Sequence, residues 1–260
     1  MNNLVKIGRS MFAAGVIALG ILCFISRDFI FGRPPAWPVS FHLNPALGYI
    51  AGALMILCAI AILLNKKTVT AAFVIALLIV LLSILRHIPT VADTWPNAFK
   101  ALALAGGSLI IAATCKSNNK KLLLTGTVAL ALFMLVCGYA HFKYAAFVDT
   151  FIPAYIPFHT FWTYFCGICL LAAGIGLLLS QTRRVAALMS GIMIGGWFLL
   201  LHIPRLLANT NDASDRLGVC ESFAFAGIFF CLAGMLAREN KFAVVVDTNA
   251  YLGEIQGGVV

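Results

Sequence analysis

Two copies of one short phrase constrain this chain more than any other feature: Leu85-Arg86-His87-Ile88-Pro89 and, 115 positions on, Leu200-Leu201-His202-Ile203-Pro204. The correspondence runs backward at the same offset, pairing Tyr49 with Tyr164, Gly52 with Gly167, Leu63-Leu64 with Leu178-Leu179 and Ala71-Ala72 with Ala186-Ala187. Solenoid units run to about 20–50 residues, so a repeat of this length predicts that each copy is a whole helical bundle. Function is then expected within one copy or between the two.

What such a bundle is dissolved in follows from composition. The chain is 62% hydrophobic and 10% charged, with a mean hydropathy of +1.00, a balance that points to an integral membrane protein. Apolar runs at Met11 to Ile25, Leu43 to Leu64, Val69 to Leu85, Ala101 to Ala113, Leu122 to Ala140, Phe158 to Leu179, Val185 to Leu201 and Leu217 to Ala237 predict eight spanning helices in an all-α fold. A span needs about 20 residues, so the first and fourth runs must borrow flanking residues such as Ser10, Phe99 and Lys100, the last expected to snorkel to the interface. The first run follows Lys6 and Arg9 as a secretory leader would, but no small-x-small site follows it and Gly20-Ile21-Leu22-Cys23 is a poor lipoprotein box, so it is read as a helix.

Four spans per copy return the chain to the side it left, so the copies share one orientation as parallel four-helix repeats, residues 1–116 and 117–238. Residues 239–260, with Gly253, Gly257 and Gly258 and no periodicity, are expected to form a mostly unstructured tail. Lys6, Arg9, Lys66, Lys67, Lys116, Lys120, Lys121, Arg183, Arg184, Arg238 and Lys241 fall on one side, which predicts that both termini are cytoplasmic. The net charge of +9 largely reflects this sidedness, and its scattered pairs form no nucleic-acid-binding stripe. The opposite links are longer and richer in Pro, Trp and acids, marking that end as the working face.

All five histidines (His42, His87, His141, His159 and His202) fall at this outer end. His87, His141 and His202 end outward-running helices, where the dipole favours the imidazolium, while His42 and His159 begin inward-running ones. The repeat relation suggests that His87 and His202 line a pocket together; each serves equally well as an interfacial anchor. No spacing among them supports a metal site. Cys166-Gly167-Ile168-Cys169 puts two thiols on one helix face, suited either to a dithiol or to plain packing. Glu221 is the one acid expected inside a span, with Arg205 or Arg216 as its expected partner. Arg86 beside His87, and Arg205 one turn past His202, could hold an anionic headgroup, a carboxylate or a quinone carbonyl, or simply anchor the rim.

The stretch Gly138-Tyr139-Ala140-His141-Phe142, Phe147, Ile152-Pro153, Ile156-Pro157, Phe161-Trp162, Tyr164, Gly167 and Gly174-Ile175-Gly176-Leu177-Leu178 resembles the signature of the DoxX-like family of four-helix membrane bundles. The resemblance spans about Lys121 to Ala237 and reaches the first half only through the internal repeat. It implies a bacterial inner-membrane protein, similar to small subunits of a thiosulfate:quinone oxidoreductase or to proteins of membrane redox homeostasis. In fold it implies likeness to the bundle of vitamin K epoxide reductase and to a methylamine utilisation protein that supports disulfide formation. Where relatives commonly carry an acid three residues after the helix glycine, this chain has Leu170.

The combined expectation is an accessory or quinone-facing subunit of a periplasm-side redox system with a redox partner subunit. His87, His141, His159 and His202 would move protons, Arg205 would orient an oxidised head beside Glu221, Arg86 is a further candidate for binding it, and Cys166 and Cys169 are the candidate catalytic thiols. The alternative is a non-enzymatic module that binds a lipid-like or small solute, or assembles partner proteins. The topology predicts that a cysteine placed at Lys66 resists a membrane-impermeant thiol probe in intact cells; labelling there would reverse it.

Overall fold

A computed structural model describes residues 3–37, 42–87, 91–115 and 119–257, with side chains undescribed at 44, 91–94 and 238–257. Ile88, Pro89, Lys116 and the side chains of Asp93, Arg238 and Lys241 therefore lie outside the described residues. The helices are α1 (Asn3–Ser26), α2 (Asn44–Leu63), α3 (Thr68–His87), α4 (Val91–Ala113), α5 (Lys120–Lys143), the short α6 (Ala145–Asp149), α7 (His159–Leu178), α8 (Arg183–Trp197), α9 (Ile203–Ala208) and α10 (Ala213–Gly257). A π-helical turn, Phe198–His202, joins α8 to α9. The described residues contain eight helical segments long and apolar enough to cross a membrane, with α8, the π turn and α9 forming one of them. The two short runs are completed by their flanks, as expected: α1 begins at Asn3 and α4 at Val91.

One expectation is corrected. The backbone beyond Ala237 continues α10 to Gly257 instead of ending in an unstructured tail. Gly253 and Gly257 weaken a helix by about 1 kcal/mol each, too little to end one that already has a long stem to propagate from.

Spans adjacent in sequence pack against each other all the way round, and α10 closes the circuit on α1. The pairings repeat from one half to the other: α1–α2 answers α5–α7, α3–α4 answers α8–α10, and the junction α4–α5 answers α10–α1, as in two parallel copies. Helices α4 and α10 also meet across the middle. The circuit is thus pinched into two lobes that share α4 and α10.

Both junctions between the halves depend on glycine. A Cβ on Gly8 of α1 would lie 2.5 Å from the Gly227 carbonyl oxygen of α10, and one on Gly126 of α5 would collide with the Gly106 carbonyl oxygen of α4. In lipid, where no hydrophobic force drives helix against helix, such close approach supplies the dispersion contacts that hold them.

The first lobe is filled. Phe12, Phe29, Phe31, Leu19 and Met55 are fully buried there, and Phe29 stacks on Phe31 with centroids 5.2 Å apart. Arg86, 4% exposed, reaches from α3 into the α1–α2 loop. It pairs with Asp28 at 3.1 Å and donates to the Pro35 carbonyl at 2.6 Å and the Phe29 carbonyl at 2.5 Å. Trp37 lies under its guanidinium at 4.8 Å and donates to the same carboxylate at 2.8 Å. At the repeat offset Arg86 answers Leu201 and Trp37 answers Ile152, so the first copy carries a plug where the second carries aliphatic side chains.

Removing one partner of a buried ion pair costs roughly 3–5 kcal/mol, because the other charge stays buried. Arg86→Ala is expected to lower the unfolding midpoint in detergent sharply, with the Arg86→Ala/Asp28→Asn double variant recovering part of the loss. An unchanged midpoint would deny the plug a structural role.

Candidate functional site

Glu221 is ionisable, inside a span and only 2% exposed. A carboxylate there must be met by charge and hydrogen bonds. Three groups from two elements meet it: Lys100 of α4 at 2.5 Å, and from the α1–α2 loop Arg33 at 3.7 Å and the Gly32 backbone N–H at 3.1 Å. The loop reaches it through two successive left-handed residues, Gly32 (φ 72°) and Arg33 (φ 54°). Glycine adopts that conformation freely, and a Cβ on Gly32 would strike Ala101 of α4 at 2.7 Å. Arg33 also donates to Ser214 Oγ at 2.8 Å and to the Ser214 carbonyl at 3.1 Å. The expected partners Arg205 and Arg216 are corrected to Lys100 and Arg33, because both of the former are held elsewhere in the α9–α10 region. Lys100 likewise turns inward instead of snorkelling, since the buried carboxylate is the stronger attraction.

Beside this cluster the second lobe holds a partly open cavity of about 430 Å³ between α4, α5, α7, α8 and α10. Its walls are apolar: Phe133, Met134 and Cys137 of α5, Trp162, Cys166 and Leu170 of α7, Met193, Ile194 and Trp197 of α8, and Phe225 of α10. Phe147, Val148, Phe151 and Ile152 close it from the α5–α7 connection. Its polar groups are Arg33, Asn97, Lys100, His141, Thr163, His202 and Ser222. His141 Nδ1 lies 2.7 Å from the Cys137 carbonyl. A carbonyl can only accept, so Nδ1 carries the hydrogen and Nε2 is the nitrogen left to exchange a proton. The His202 ring lies over Gly218, where a Cβ would fall 2.7 Å from Nδ1 and 3.7 Å from an Arg33 nitrogen; glycine there lets the imidazole and guanidinium share one corner.

The wall from α8 to α9 is shaped by Pro204. Lacking an N–H, Pro204 leaves the Leu200 carbonyl one turn earlier without its α-helical donor, and the helix answers with the π turn that carries Leu201 and His202. The freed Leu200 carbonyl accepts from the Tyr155 hydroxyl of the α6–α7 loop. Arg205 binds the same connection, donating to the carbonyls of Thr150 at 3.2 Å and Phe151 at 3.1 Å, with its guanidinium 4.8 Å from the Phe151 ring. Its charge is met by Asp215 at 2.8 Å, whose backbone N–H is capped by Asp212 at 2.8 Å as a helix-start pair. At the far end of the connection the hydroxyls of Thr163 and Thr160 hold the Asp149 carboxyl below its ordinary range.

Of the residues singled out from sequence, the structure brings His141, His202 and Cys166 to the cavity and sets Glu221 behind its cationic wall. Arg205 holds the lid. His87 and Arg86 belong to the other lobe: equivalent positions in parallel repeats lie on opposite sides of the axis through α4 and α10, so His87 and His202 do not share a pocket. His159 is half-buried at the start of α7 and His42 is exposed; neither lines the cavity. Cys169 turns away from it, and both cysteines of the pair are free thiols. No three metal-ligating side chains group together among the described residues. Lys100, Arg33, Tyr155 and the tryptophan pair Trp162–Trp197, with centroids 5.8 Å apart, were not foreseen as site residues. Lys100 had a signal, being a cation in a predicted span that a buried acid would need.

Comparison with known proteins adds one match. Residues 130–219 match a family model described as a domain of unknown function (DUF8561). No curated protein and no solved structure matches the chain. The matched stretch contains most of the cavity wall, whereas Arg33, Pro96, Asn97, Lys100, Ser222 and Phe225 lie outside it.

Proposed function

We propose that this polytopic membrane protein binds a small amphipathic molecule in the cavity of its second lobe. The observation that carries the reading is the cavity itself: about 430 Å³, within the range of small-molecule sites, walled by aromatic and aliphatic side chains, with Lys100, Arg33, His141 and His202 gathered as polar groups. The body of the ligand lies against Trp162, Trp197 and Phe133; its oxygen-bearing head faces the cationic wall. The filled first lobe acts as a scaffold that delivers Arg33 and Lys100.

A narrower form of this reading is a quinone-facing accessory subunit of a redox system on the periplasmic side of a bacterial inner membrane. The DoxX-like resemblance supports it, and so does the site: a quinone ring suits the aromatic walls, its carbonyls can accept from Lys100 and His202, and His141 Nε2 offers a proton-exchanging group. A bound quinone would supply two-electron, two-proton chemistry. The chain's own residues would orient the ring, keep water away and hold protons.

Organic extraction of protein purified in mild detergent, followed by mass spectrometry, tests both forms. The wild type should release an amphipathic compound that a cavity-filling Met193→Trp variant, folded to a similar midpoint, has lost. A quinone in that extract would favour the redox form. Identical extracts from the two proteins would remove the cavity as the binding site.

A further inference from the structure

The charges at the loop-rich end do not balance, and the imbalance faces the cavity. Asp28 is matched by Arg86 and Asp215 by Arg205, one cation to one acid. Glu221 has two cations, Lys100 at 2.5 Å and Arg33 at 3.7 Å. The other side-chain bonds of Arg33, to Ser214 Oγ and the Ser214 carbonyl, go to neutral groups. Lys100 and Arg33 both line the cavity, and no Asp or Glu lines it among the described residues. Asp149, at the end of α6, is half-buried and engaged by Thr160 and Thr163. Among the described residues the site wall therefore carries one positive charge more than its acids neutralise. Both cations are only partly exposed, so water screens that excess incompletely and a bound counter-charge is favoured.

We infer that the ligand is an organic monoanion, a carboxylate on an aromatic body, whose charge completes the set formed by Lys100, Arg33 and Glu221. The inference rests on the cavity being the binding site. The head would take a hydrogen bond from the Lys100 ammonium and the charge of the Arg33 guanidinium, beside the His202 imidazole that shares the Gly218 corner with Arg33. The aromatic body follows from the walls: Trp162 and Trp197 meet edge to face, and Phe133 stacks on Phe225 with centroids 4.9 Å apart, leaving flat faces and edges for a ring to pack against. Lys100 and Arg33 both come from the first half of the chain, so the two halves would share the ligand: the second encloses its body and the first matches its charge.

Calorimetry on the full chain in an uncharged maltoside detergent tests this with naphthalene-2-carboxylate and its neutral isostere naphthalene-2-carboxamide. The carboxylate should bind the wild type about tenfold tighter or more, the scale of a hydrogen bond to a charged group. Lys100→Gln and Arg33→Gln should each weaken the carboxylate more than the carboxamide and so erode that preference, and Lys100→Arg should keep it. Equal affinities in the wild type, or a preference surviving in both glutamine variants, would overturn the inference. Carboxamide binding that Met193→Trp abolishes, without any preference for the carboxylate, would leave the cavity reading standing and the anion rejected. Binding of neither compound to the wild type would reject both.

Discussion

A single carboxylate in a place without water sets the terms for one end of this molecule. Glu221 sits on α10, one of the two helices shared by both lobes, and is satisfied by α4, the other shared helix, and by the α1–α2 loop. Leaving it unpaired would cost several kcal/mol, so α10 from the second half and, from the first, α4 and the loop with its left-handed turn at Gly32-Arg33 must be in place together. The cavity is a by-product of that arrangement. Lys100 and Arg33 are drawn inward to the carboxylate, and in being drawn inward they become part of a pocket wall.

The two halves have kept one architecture and filled it differently. In the first, Arg86, Trp37 and Asp28 occupy the space under the loop; in the second, Leu201 and Ile152 stand at the positions of Arg86 and Trp37 and the space stays open. Change of this kind is economical, because the glycine contacts that hold both junctions between the copies, Gly8 on Gly227 and Gly126 on Gly106, lie away from the loop-rich end. Specialising one copy as a rigid filler and the other as a container need not disturb the contacts on which the circuit of helices depends.

The architecture could be read from the sequence because the bilayer leaves little choice: runs of about 20 apolar residues become helices, and an even number of them per copy fixes the copies as parallel. His141, His202 and Cys166 were legible as residues near one end of their spans. Which of the five histidines meet was not legible, because a repeat tells which positions are equivalent and not which side of the axis each occupies; His87 and His202 are equivalent and separated for the same reason. The partner of Glu221 was misread because Lys100 lies 121 positions away and its run was the shortest in the chain. Nor could the plug be foreseen, since Asp28 and Trp37 sit in a loop where charge and aromatic residues have many ordinary uses. Residues beyond Ala237 were misread for a different reason: weak periodicity says that a segment lacks a buried face and leaves open whether it continues a helix already begun.

The closure of α10 on α1 joins two spans about 200 residues apart in sequence, and this orders events in time. At about 5–20 residues per second, roughly 10 to 40 s separate the emergence of the first helix from that of the last span. Throughout that interval the face of α1 that carries Gly8 and Gly15 has only lipid against it, since the partners of those glycines, Gly227 and Ala224, have yet to be made. Such a small-residue stripe allows close approach of any helix, so α1 stays open to other partners until α10 has been made.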